Sequence, residues 1–141
     1  MYLAAQLRVL CIDDTQETLN MMGSILRRAG HQVHLVLGGE AGIGMLQQLP
    51  SIDVVLINNR MPGLSGMEVV EFLAANRRYD SIGVVFHSAV DTPELPTEHA
   101  RWGRVDVCLT LPFQPLDLLD AVFTAYMRRR GFQHRITYVA S

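Results

Sequence analysis

The chain has 141 residues, 49% of them hydrophobic and 18% charged, with a formal net charge of -2. That length fits one domain, able to bury roughly two-thirds of the surface that its unfolded form exposes. The composition excludes a disordered chain, and the small net charge excludes a strong global field for nucleic acid or an anionic membrane surface.

The first residues, MYLAAQLRVLCIDD, do not read as a signal peptide, because Gln6 and Arg8 break the apolar part and two acids follow at once. No apolar run reaches the length of a membrane span. The expectation is a cytoplasmic protein with no direct nucleic-acid or membrane contact. Cys11 and Cys108 sit in apolar runs and read as buried, reduced thiols.

In chain order, short apolar runs alternate with longer amphipathic stretches. Leu7 to Ile12 (LRVLCI) reads as a buried strand. Thr15 is placed to cap a helix running to Ala29, on which Leu19, Met22, Ile25, Leu26 and Ala29 recur at helical spacing, and Gly30 stops it. His31 to Leu37 is a second strand with alternating Val33, Leu35 and Leu37. Glu40 to Leu49 is a weak helix, since Gly42 and Gly44 each cost about 1 kcal/mol relative to alanine.

Ile52 to Ile57 (IDVVLI) is a continuous β-branched run, the pattern of a strand covered on both faces. The turn MPGLSG follows, then a helix from Met67 to about Arg78. Ile82 to His87 and Val105 to Leu109 are the fourth and fifth strands. A last helix runs from Leu116 to about Arg130, with Leu116, Leu119, Val122, Phe123, Tyr126 and Met127 as its buried stripe. Between the fourth and fifth strands lies DTPELPTEHARWG, whose Pro93 and Pro96 predict a helix that is short or irregular. Residues 1–131 make up the domain. Residues 132–141 read as a C-terminal tail or the start of a linker to a fused output domain.

Strand and helix alternating five times argue for a parallel sheet with helices on both faces. In such sheets ligands gather at the carboxyl ends of the strands. That end carries Asp13 and Asp14 after the first strand, Asn58 after the third, Ser88 after the fourth and Leu111-Pro112-Phe113 after the fifth.

The run RVLCIDD, then DVVLINNRMPGLSG, then VVFHSA, then CLTLPF resembles the response-regulator receiver family over about residues 7 to 130. The resemblance implies a flavodoxin-like, doubly wound five-stranded parallel sheet of order 2-1-3-4-5 with five helices. Asp13 and Asp14 match the acid pair that helps to hold Mg²⁺. Four residues before the proline of the MPG turn the family carries its phosphate-accepting aspartate, and this chain has Asn58. Ser88 matches the family's Ser or Thr. Leu111 replaces its lysine, and the aromatic switch position falls near Cys108.

These departures have physical consequences. An amide oxygen is neutral and delocalised, so Asn58 is no practical nucleophile. It also removes one anion from a site where Mg²⁺ wants hard, charged oxygens. Leu111 brings none of the charge with which a lysine would neutralise a phosphoryl group. Alternative readings stand beside these. Asp13 and Asp14 suit the N-terminal dipole of the helix that follows, Ser88 reads first as a plain loop hydroxyl, and Asn58 could trap an otherwise active receiver, against which Leu111 counts.

The expected function is that of an aspartate-less receiver domain of a bacterial signalling regulator. It is not an enzyme, holds no cofactor beyond weak or absent Mg²⁺, and works as a phosphorylation-independent interaction module. The resemblance implies partner contacts, with another protein or a second copy, through the fourth helix, fifth strand and fifth helix. Trp102, Arg104, Cys108, Phe113 and Tyr126 are the candidate contact residues. The rival reading is a nucleotide sensor that uses the arginines of Arg77-Arg78 and Arg128-Arg129-Arg130. Those same clusters also suit the C-terminal ends of two helices.

Overall fold

The computed structural model describes residues 6–89 and 103–131, together with the backbone of residues 137–140. The described elements are strands β1 (Arg8–Asp13), β2 (Gln32–Leu37), β3 (Val54–Asn58), β4 (Gly83–Ala89), β5 (Val107–Leu111) and β6 (Thr137–Ala140), and helices α1 (Gln16–Arg28), α2 (Gly39–Gln48), α3 (Gly66–Ala75) and α4 (Pro115–Arg129). A 3-10 turn, Arg77–Tyr79, follows α3. The helix expected between the fourth and fifth strands, and Trp102 with it, lie outside the described residues.

All pairings are parallel, and the sheet runs β2-β1-β3-β4-β5-β6. The first five strands form the flavodoxin-like order. The sheet departs from the expected five strands by one: the segment read as a tail contributes β6, paired with β5 from Val107↔Thr137 to Thr110↔Ala140.

Two cores sandwich the sheet because successive side chains on a strand point to opposite faces. Leu10, Ile12, Val55, Ile57, Val84 and Phe86 face α2 and α3, where Leu46, Val69, Val70 and Leu73 meet them. Val9, Cys11, Val54, Leu56, Val85, Val107 and Leu109 face α1 and α4, against Leu19, Met22, Leu26, Leu118, Val122 and Ala125. The run in β3 is fully buried on both sides, as its composition predicts.

Two helices differ from the sequence reading. α3 ends at Ala75 rather than near Arg78, where the Asn76 side chain donates to the Phe72 carbonyl and the chain tightens into the 3-10 turn. The buried face of α4 is Leu118, Ala121, Val122 and Ala125, while Leu116 is 66% exposed. The reason is close approach. A Cβ on Gly83 would stand 2.7 Å from the Ala125 carbonyl group, so α4 lies close on the sheet at Ala125 and turns Leu118, Ala121 and Val122 inward with it.

At the base of the sheet, Asp53 accepts from the backbone N–H of Arg8 (2.7 Å) and Asp106 accepts from that of Val84 (2.8 Å). Arg104 is buried. It donates to the carbonyls of Tyr79 (2.6 Å) and Ile82 (2.7 Å), beside Asp106 at 3.6 Å. No helix among the described residues is long and apolar enough to cross a membrane.

Candidate functional site

The parallel arrangement brings the carboxyl ends of β1, β3, β4 and β5 together. An open cleft of about 210 Å³ there is lined by Asp13, Thr15, Thr18, Asn58, Arg60, Ser88 and Leu111. The Asn58 side chain stands at its floor. Its Nδ2 donates to Asp14 Oδ1 at 3.0 Å and to the Arg60 carbonyl at 3.0 Å, with Asp13 Oδ1 at 3.4 Å. Three oxygens, two from the adjacent acids at the end of β1 and one from the turn after β3, converge on one amide nitrogen.

The backbone holds this arrangement from both sides. The Asn59 N–H donates to the His87 carbonyl (2.9 Å), extending the β3–β4 ladder past Asn58. Gly66, the first residue of α3, packs directly on the Asn58 carbonyl, and a Cβ there would clash with it. The turn between them uses Gly63 at φ 76, a left-handed conformation that glycine adopts without strain. Ser65 caps α3 in a reciprocal bond with Glu68, which fixes where that helix begins.

Thr15 precedes α1 as expected, but its side chain does not cap the helix. It donates to Asp14 Oδ1 at 3.3 Å, and the Thr15 N–H donates to Asp13 Oδ1 at 3.0 Å. Asp13 is 2% exposed, and burial pushes its carboxyl up to about 6. Beneath it lies a residue that the sequence reading did not single out. His87 is fully buried, with Nε2 3.4 Å from Asp13 Oδ2, and neither ring nitrogen has a hydrogen bond among the described residues. Burial drives its pKa down to about 4. The only sequence signal for it was an imidazole in an otherwise apolar strand.

The point where Asp13, Asp14 and the Arg60 carbonyl converge is filled by an amide nitrogen, which donates hydrogen bonds and offers no lone pair to a metal. Among the described residues no group of three or more His, Cys, Asp or Glu side chains is placed to hold a metal ion. Ser88 is buried beside the cleft, and Leu111 contributes an apolar wall where the resemblance places a lysine.

The candidate contact residues separate. Phe113 and Tyr126 are half-buried, with part of each accessible. Arg104 and Cys108 are buried and do not form a surface. Arg104 is spent on the Tyr79 and Ile82 carbonyls, and Cys108 faces the α2–α3 core, where burial raises its thiol to about 12. The arginines closing α4 are also engaged. Arg129 donates to the Asp80 carbonyl, and Arg130 donates to the Ser81 carbonyl and stacks over Tyr126 at 4.1 Å.

Comparison with known proteins agrees with this geometry. The response regulator receiver domain model matches residues 9–123. Protein PilH of Pseudomonas aeruginosa is 30% identical over 115 residues, covering 82% of this chain and 93% of PilH. Sensor protein GacS of Pseudomonas syringae is 35% identical over 81 residues, which is 55% of this chain but 9% of GacS, so the chain spans a small part of that relative. The receiver domain of the Francisella response regulator 1452 superposes with a TM-score of 0.76 at 24% identity, covering 87% of this chain and 98% of that one. The chain belongs to the response regulator receiver domain family.

Proposed function

We propose that this receiver domain is not phosphorylated and acts as a phosphorylation-independent protein-interaction module of a two-component-like regulator. The observation that carries this reading is the Asn58 amide nitrogen, bonded to Asp14 and the Arg60 carbonyl and close to Asp13. The amide group takes the place of a nucleophile and donates hydrogen bonds to the carboxylates whose charge a cation would otherwise compensate. Leu111 reinforces it, because its side chain brings no positive charge to the cleft where the resemblance places a lysine. On this reading Mg²⁺ binds weakly or not at all, and the domain catalyses nothing.

The partner surface on this reading is the region 92–127, including the exposed parts of Phe113 and Tyr126. The setting is the cytoplasm. The rival nucleotide reading is disfavoured by the bonds of Arg129 and Arg130 to carbonyls of this same chain. Incubation with acetyl phosphate and Mg²⁺ followed by intact mass measurement tests the proposal. An unmodified mass is expected, and a stoichiometric phosphoryl increase overturns it.

A further inference from the structure

We propose that the outer edge of β5 is a strand-addition site, held in the free chain by its own residues 137–140, which the same segment of a second copy can occupy in trans. The inference rests on the reading above in one respect only, that the face containing the fifth strand serves binding. Four observations carry it.

The family match ends at residue 123, so β6 is an addition to the matched domain. Without it, β5 would be the sheet edge, presenting a row of backbone N–H and C=O groups on the side away from β4. Four consecutive residues, Thr137 to Ala140, satisfy that edge in parallel register. Their sequence is the reverse of a protected edge: Thr, Tyr, Val and Ala carry no charge and no proline, and three of the four favour strands.

The connection also suits exchange. α4 ends at Arg129, and Gly131 at φ 94 turns the chain out of the helix. Five residues, 132–136, then separate Gly131 from β6. Five extended residues reach at most about 18 Å, which limits a strand leaving its own β5 to the β5 edge of a copy packed close beside it. Pairing in trans reproduces the same register and the same backbone hydrogen bonds, which makes the exchange a low-cost route to a dimer.

The test uses the full chain with Tyr138→Pro and Val139→Pro together. Successive residues of a strand point their N–H groups to opposite sides, so one of the two prolines removes a donor facing β5. Amide exchange and sedimentation are measured without any phosphodonor, and a synthetic peptide of residues 132–141 is then added. The expected result is loss of slow exchange within Val107–Leu111 with Val54–Asn58 still protected, restoration of β5 by one peptide per chain, and a concentration-dependent dimer of the natural chain that the variant does not form. Should the double proline unfold the domain, seen as loss of protection at Val54–Asn58, Thr137→Gly with Val139→Gly serves instead, weakening the strand without removing donors. β5 amides as slow in the variant as in the natural chain, failure of the peptide to restore them, or a natural chain monomeric at every concentration overturns the proposal. Phosphorylation of the chain would overturn the proposed function and leave these readouts unchanged.

Discussion

Nε2 of His87 lies 3.4 Å from Oδ2 of Asp13, and both groups are buried. Burial moves the two in opposite directions, Asp13 up to about 6 and His87 down to about 4. At neutral pH the imidazole is therefore uncharged, and neither of its nitrogens has a hydrogen bond among the described residues.

The first prediction concerns this pair. A buried polar group without a partner costs about 1–3 kcal/mol, so His87→Leu, similar in volume, should raise stability at pH 7 by about 1 kcal/mol or more. The pH dependence separates the two groups. His87 titrates lower in the folded chain than in the unfolded one, so its contribution is complete above about 6.5 and is lost as pH falls toward 4. Asp13 works in the opposite sense. Its folded pKa is raised, so its contribution is present below about 4 and is lost as pH rises through 6. Urea midpoints at pH 7 and pH 5 should show a smaller acid-side loss for His87→Leu than for the natural chain. A variant less stable at both values would contradict the assignment of His87 as an unsatisfied core group.

The second prediction concerns Asn58. Asn58→Asp removes the N–H donors that face Asp13, Asp14 and the Arg60 carbonyl and places a third carboxylate among them. Like charges at that distance repel. The variant should melt at a lower temperature than the natural chain without metal and recover when Mg²⁺ is added. Calorimetric titration should show Mg²⁺ binding to the variant and little heat with the natural chain. Equal binding by both would show that the amide does not block the site.

The third prediction concerns the central strand. Leu56 is fully buried between Cys11 on β1 and Val85 on β4. Leu56→Ala should cost about 2–5 kcal/mol, the usual range for a core leucine. Chemical denaturation measures it, and an unchanged midpoint would contradict the two-sided core.

The sequence made these elements legible to different degrees. The β3 run IDVVLI and the alternating apolar stretches carried the five strands and their parallel pairing, whereas the order 2-1-3-4-5 came from the family resemblance. The positions of Asp13, Asp14, Asn58, Ser88 and Leu111 at one end of the sheet followed from strand ends alone. Three features were not legible. The face of α4 depends on how closely Ala125 approaches Gly83, which hydrophobic periodicity does not report because it weights large side chains. Arg104 read as a surface candidate from its place after an irregular segment, yet the carbonyls of Tyr79 and Ile82 draw it inward; Cys108 read both as a buried thiol and, through the resemblance, as a contact residue, and the core encloses it. β6 is four residues long, and its pairing depends on an edge that only the assembled sheet presents.

The claim on which the account turns is that the acid site is closed by Asn58 and has no activated state to select. A ligand shifts an equilibrium only between states for which it has different affinities. The most direct measurement is amide exchange of the natural chain with and without beryllofluoride and Mg²⁺, a phosphoryl mimic that needs no covalent transfer. Unchanged exchange across Val54–Asn58, Gly83–Ala89 and Val107–Leu111 is the predicted result. Slowed exchange at these strand ends, spreading into β5 and α4, would contradict it and show that a working switch remains beneath the altered site.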